Sequence, residues 1–189
     1  YLQFMKNQLT ELLTNYGAIS CIWFDGHWDQ TNPEGSADRS SRVDWKYDEI
    51  YSLIHKLQPA CMIGNNHHLD PINGEDFQMF EQDLPGQNKT GLSFQTASSL
   101  PLESCVTMND AWGFKINDRH YKSYPEVIKT LVGAAGRNSN LLLNVGPIPN
   151  GEIGMEFSDT LALVGQWTKQ FGTTIYGTRG GPMTAETWG

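Results

Sequence analysis

The feature that most constrains this chain is its alternation of short apolar runs with segments of helical periodicity. Leu2, Met5, Leu9, Leu12, Leu13 and Tyr16 recur at three- and four-residue steps, which predicts a helix over residues 2 to 16, with Gly17 where a left-handed residue ends helices. Residues 18 to 24, rich in Ile and aromatics, read as a buried strand. A second helix is expected over 45 to 57, with Ile50, Leu53, Ile54 and Leu57 inward, Asp44 as its cap and Pro59 as its stop. Residues 60 to 64 read as a strand, 103 to 108 as another, 124 to 137 as a helix with Tyr124, Val127, Ile128, Leu131 and Val132 inward, and 141 to 145 as a strand. A helix over 156 to 171 and a short strand over 174 to 177 complete the series. The stretch from 65 to 120 reads as largely irregular, and so long a segment in a compact domain is often functional.

Strands without clean alternation, separated by amphipathic helices, build parallel sheets buried on both faces. The expected class is therefore α/β, one domain over residues 1 to 189, as a barrel or an open doubly wound sheet. No Gly-rich phosphate loop follows a strand, so a nucleotide-binding version has little support. Five expected strands are too few to close an eight-stranded barrel. With 39% hydrophobic and 18% charged residues the composition is that of a soluble globular domain. No apolar run approaches the roughly 20 residues that span a bilayer. A net charge of -8 argues against a nucleic-acid partner, which needs clustered Lys and Arg. Cys21, Cys61 and Cys105 lie in or beside apolar runs and are expected as free thiols packed like small hydrophobes.

Parallel barrels carry catalytic groups at the C-terminal ends of strands. Asp25 is at such an end, and the polar residues after Gly64, Glu103 and Asn144 are expected along the same rim. A carboxylate ending an apolar strand is costly unless paired or functional. Trp23 before Asp25, and His27 and Trp28 after it, suit a sugar, whose apolar face stacks on indole while the carboxylate meets the reactive carbon. The plainer alternative is that Asp25 caps the next turn and Trp23 is core. A retaining glycosidase needs a second carboxyl roughly 5 Å from the first. Glu75, Asp76, Glu81, Asp83 and Glu103 are the candidates, and sequence distance does not choose among them. Phe77, Met79 and Phe80 give Glu81 an apolar neighbourhood suited to an acid. His67, His68 and Asp70 invite a metal reading, but adjacent histidines diverge in extended chain and no third ligand has a recognised spacing, so no metal is expected. Asn88-Lys89-Thr90 matches the N-glycosylation pattern, which is common by chance.

Four of these segments resemble the catalytic domain of α-L-fucosidases of glycoside hydrolase family 29. Ile22-Trp23-Phe24-Asp25-Gly26 is similar to the segment bearing the nucleophilic aspartate, although Phe24 stands where the usual motif has Asn. Gly74-Glu75-Asp76-Phe77 through Glu81 to Pro85 is similar to the loop carrying the acid/base, with Phe80 where Pro is usual. Leu102-Glu103-Ser104-Cys105 through Trp112-Gly113-Phe114, and Gly136 through Pro147 with Gly151, complete the likeness. The resemblance implies a (β/α)8 (TIM) barrel of which this chain is the later part, the earlier strands with their fucose-binding histidines and tryptophan being absent from it. It implies a retaining exo-glycosidase acting on terminal α-L-fucosides of oligosaccharides or glycoconjugates, with no cofactor. Asp25 would be the nucleophile and Glu81 the acid/base, with Glu103 as runner-up. Trp23 and Trp112 would pack on the sugar and its C6 methyl, and His27 and Glu103 would complete the binding set. Exposed sheet edges make association of the chain possible. The alternative from another class is a non-catalytic sugar-binding remnant of the same barrel. A weaker third reading is a barrel hydrolase acting on a different sugar.

Overall fold

The computed structural model describes residues 1–27 and 43–181, so Trp28 and most of the polar loop after Asp25 lie outside the described residues. The chain forms two compact units, Tyr1–Met79 with Phe94–Pro101, and Phe80–Ser93 with Leu102–Gly189. It passes from one to the other at 79/80, 93/94 and 101/102.

In the first unit, helix α1 (Leu2–Asn15) leads into strand β1 (Cys21–Phe24), and helix α2 (Tyr47–Leu57) into strand β2 (Met62–Asn65). β1 and β2 are parallel, Cys21 opposite Met62 and Phe24 opposite Asn65. Leu9 and Leu13 of α1, Ile50, Tyr51 and Ile54 of α2, and Ile22 and Ile63 of the strands form one buried cluster. Each such side chain contributes about 1.5–3 kcal/mol of burial. Gln58 ties the layers together: its amide donates to the carbonyls of Leu13 and Gly17 at the end of α1, and its Oε1 accepts the N–H of Ile19 ahead of β1. Gly17 is left-handed, as its position after the helix requires. Gly64 is there because the Phe77 ring covers it; a Cβ would lie 2.2 Å from the ring.

The second unit holds β4 (Leu102–Thr107), β5 (Ser139–Asn144) and the last two residues of β3 (Gln78–Glu81), and the strand order is β3-β4-β5. β4 and β5 are parallel, Leu102 opposite Ser139 and Thr107 opposite Asn144. Helices α3 (Tyr124–Ala135) and α4 (Met155–Phe171) flank β5 in the chain. Met108, Val127 and Phe157 form the buried centre, with Tyr121, Leu143 and Leu161 against it. A capping box of Ser123 and Glu126 with Pro125 at the first turn starts α3.

Several expectations are corrected. Helix α2 starts at Tyr47 after a left-handed Lys46, so Asp44 is not its cap; its carboxylate instead accepts the Lys46 N–H in the approach turn. β3 lies inside the stretch expected to be irregular. The expected strand at 174 to 177 is a 3-10 helix over Gly172–Thr174 followed by a hydrogen-bonded turn, because the Gly172 carbonyl captures the N–H groups of both Ile175 and Tyr176. Burial on both faces fails for β5, where Leu142 is exposed; among the described residues β5 pairs with β4 alone. Val132 of α3, Leu12 of α1 and Tyr16 just after it are exposed as well. All three cysteines are free thiols, with Cys61 and Cys105 buried and Cys21 half-buried.

Candidate active site

At the C-terminal ends of β1 and β2, polar side chains replace the apolar ones beneath them. Asp25 follows β1 directly and is exposed, and the buried Asn66 donates its side-chain amide to Asp25 Oδ1 at 3.2 Å. The Asn66 backbone N–H bonds the Phe24 carbonyl at 2.9 Å, so this contact extends the ladder between the two strands. Below it lies a buried chain of partners. Asn65 donates to the Tyr51 hydroxyl, which donates to Glu75 Oε1, each at 2.9 Å. His67 Nε2 reaches the same carboxylate oxygen at 2.9 Å, and the Ile72 N–H binds Oε2. Leu69 N–H points at His67 Nδ1, which fixes Nδ1 as acceptor and Nε2 as the donor to Glu75. Burial, and then the Glu75 carboxylate, push the Tyr51 hydroxyl strongly upward. His27, 6% exposed, packs edge-on against His67 and bonds the Tyr47 hydroxyl through Nδ1 at 2.9 Å. Burial, then the neighbouring His67 and His68, lower its pKa, and Glu75 opposes them.

In the second unit Glu81 is the last residue of β3 and half-buried, preceded by the buried Met79 and Phe80. Gln82 then turns left-handed, and the buried Asp83 carboxylate gathers the Lys89 N–H, the Thr90 N–H and the Thr90 hydroxyl. The turn Trp112-Gly113-Phe114 is held at the end of β5: Asn144 donates to the Trp112 carbonyl at 2.8 Å, and Gly146 fits so closely that a Cβ would lie 2.7 Å from the Gly113 carbonyl carbon. Trp112 and Phe114 present exposed rings there.

The structure thus brings Asp25 and His27 to one strand end and Glu81 to another, and Trp112 to the end of β5. Trp23 is half-buried on β1 opposite Gly64, along a groove of about 460 Å³ shared with Met5, Leu9 and Leu12 of α1. Glu103 is not on the expected rim; it is the second residue of β4, opposite Asn140, at the strand's N-terminal end. The other candidate carboxylates have structural partners: Glu75 in the buried chain, Asp83 in its loop, and Asp76 exchanging bonds with both backbone groups of Ile63 while its carboxylate also meets His55. Tyr51, Asn65, Asn66 and Glu75 as a connected set escape sequence reasoning. Their only signal is the run Asn65-Asn66-His67-His68 directly after an apolar strand. The NKT pattern has local uses: Thr90 bonds Asp83, and Asn88 Oδ1 accepts the Ser93 N–H.

A sequence model described as Alpha-L-fucosidase matches residues 1–173. The chain belongs to the α-L-fucosidase family. Alpha-L-fucosidase 1 of Arabidopsis thaliana is 26% identical over 174 residues, covering 81% of this chain and 31% of that protein. Plasma alpha-L-fucosidase of Homo sapiens is 36% identical over 81 residues, covering 40% and 17%. Among solved structures, alpha-L-fucosidase isoenzyme 1 from Paenibacillus thiaminolyticus superposes with a TM-score of 0.78 at 36% identity, covering 100% of this chain and 44% of that one. A family 29 α-L-fucosidase from Bacteroides thetaiotaomicron, a trapped covalent intermediate with 2-fluoro-fucosyl fluoride, superposes with a TM-score of 0.76 at 25% identity, covering 100% and 44%. The chain spans about a third of the length of the Arabidopsis relative and under half of these solved chains.

Proposed function

We propose that the protein is a retaining α-L-fucosidase, and that this chain supplies the later strands of a (β/α)8 barrel whose activity belongs to a longer polypeptide. Asp25 attacks the anomeric carbon of a terminal fucoside while the bond to the leaving oxygen breaks, and Glu81 gives its proton to that oxygen. Glu81, now a carboxylate, takes a proton from water; the hydroxide oxygen bonds the anomeric carbon and Asp25 departs as carboxylate. The observation that carries this reading is Asp25 itself: an exposed carboxylate at the C-terminal end of a parallel strand, oriented by Asn66, in a chain that the family model covers over residues 1–173. The trapped covalent intermediate of the Bacteroides relative supports a covalent route. Support for Glu81 comes from its place: it is half-buried at the C-terminal end of β3, directly after the buried Met79 and Phe80, whereas Glu103 sits at the other end of its strand. Trp23, two positions before Asp25 in the chain, and the exposed Trp112 are the proposed apolar walls for the sugar, with His27 as the remaining member of the binding set; Glu103, at the far end of β4, is left out of it.

The decisive experiment uses the full-length protein. Asp25→Gly should lower turnover of a nitrophenyl α-L-fucoside by at least about 10³-fold, with partial rescue by azide. A 2-fluoro-fucosyl fluoride label should map to Asp25; a label on any other side chain overturns the assignment. Fucose binding by intact wild-type protein without release of nitrophenol would favour the non-catalytic remnant.

A further inference from the structure

We propose that Gln82 is the positioning residue for Glu81, clamping the end of β3 to the end of β4 so that the carboxyl is presented in one place. The proposal rests on the reading of Glu81 as acid/base. Gln82 has φ 56, in the left-handed region that side chains other than glycine's disfavour. Were the turn alone required, glycine would make it without steric cost. The side chain at this position is instead used at both of its ends. Gln82 Oε1 accepts the Thr107 N–H at 3.2 Å, and Gln82 Nε2 donates to Thr107 Oγ1 at 3.1 Å. The Thr107 oxygen is available as acceptor because its own proton goes to the Asn109 carbonyl. The Gln82 backbone N–H adds a third bond, to the Cys105 carbonyl at 2.8 Å.

The anchor is itself fixed. Thr107 is 1% exposed, stands opposite Asn144 in the β4–β5 register, and its carbonyl receives Lys122 Nζ at 2.6 Å. On the far side of Gln82, the Asp83 carboxylate locks residues 83 to 90 into a closed loop through three donors. Leu84 packs onto α3, where a Cβ on Gly133 would meet it at 2.8 Å. Glu81 is therefore held by the sheet on its N-terminal side and by the clamp on its C-terminal side. A proton donor that must reach a leaving oxygen, and then a water, loses about 10²-fold in rate when displaced by roughly 1 Å. The clamp acts on the step that needs that proton, so its loss is selective for poor leaving groups.

The test compares kcat/KM across fucosides from dinitrophenyl to alkyl leaving groups in the full-length protein. Gln82→Gly keeps the left-handed turn and deletes the clamp. It should lose about 30- to 100-fold on alkyl fucosides, the cost of a misplaced donor, and stay within about threefold on the dinitrophenyl fucoside. Gln82→Glu, which retains the acceptor for the Thr107 N–H, should recover part of the loss. If Gln82→Gly does not accumulate as folded protein, Thr107→Val removes the acceptor of Nε2 and should show the same selectivity. Glu81→Ala is run in parallel. If that variant is not selective for poor leaving groups, the reading of Glu81 fails and the clamp falls with it. If Glu81→Ala is selective while the folded Gln82 or Thr107 variants lose activity uniformly or not at all, the reading stands and the clamp alone is refuted.

Discussion

His27 is kept neutral by its surroundings, and that neutrality makes stability depend on pH. Burial and the neighbouring imidazoles of His67 and His68 lower its pKa from 6.5, while Glu75 pulls the other way, and Tyr47 bonds its Nδ1. As pH falls below about 6.5 the unfolded chain takes up a proton that the folded chain refuses, so stability falls until the depressed folded value is reached. His27→Gln should therefore lose less stability than wild type between pH 7 and pH 5.5, read as the shift in urea midpoint. An equal shift in both would remove His27 from the account. Asn66 is the direct support of Asp25, and Asn66→Ala should lower kcat by about tenfold, the worth of a hydrogen bond to a charged group, with little change in melting temperature. Asp25 is legible in the sequence because a charge ending an apolar strand is anomalous on its own terms. The chain from Asn65 through Tyr51 to Glu75 is not, because each contact joins residues from different elements and no single position looks unusual.

Elements with a clear period are readable from the sequence to within a few residues. The four helices and strands β1, β2, β4 and β5 follow from spacing and apolar runs, whereas β3 does not. Gln-Met-Phe-Glu is four residues long with polar ends, and its pairing with β4 is decided by distant chain. The 172 to 177 segment misleads for the converse reason, since its aromatic and β-branched residues look strand-like while Gly172 gathers the backbone bonds locally. Two substitutions probe this level. Ile54→Ala, at a fully buried site between α2 and the strands, should cost about 2–5 kcal/mol in chemical denaturation. Gly146→Ala should push the Trp112-Gly113-Phe114 turn off the end of β5, because the new carbon collides with backbone at Gly113. The expected result is altered tryptophan fluorescence and a higher KM for fucosides in the full-length protein; unchanged values for both would detach this turn from the proposed site.

At the scale of the molecule, the family assignment rests on nearly the whole chain, while the proposed barrel extends beyond it. Among the described residues β1 pairs with β2 alone, leaving its other edge without a strand partner. Open edges of this kind recruit further chains. The 189-residue chain expressed alone should therefore show no turnover of an activated aryl fucoside and should sediment as more than a monomer; robust turnover by it would overturn the proposal that activity needs a longer polypeptide. The interleaved course of the chain has a practical corollary for anyone engineering the protein as complementing halves. A break after Met79 would strand residues 94 to 101 on the wrong fragment. There the backbone N–H groups of Thr96 and Ser98 bond Asp70 and Gln78, and Gln95 holds the Met79 carbonyl. A reporter split at that junction would have to carry a duplicate of this octapeptide, or reassembly would begin with a hole in its first piece.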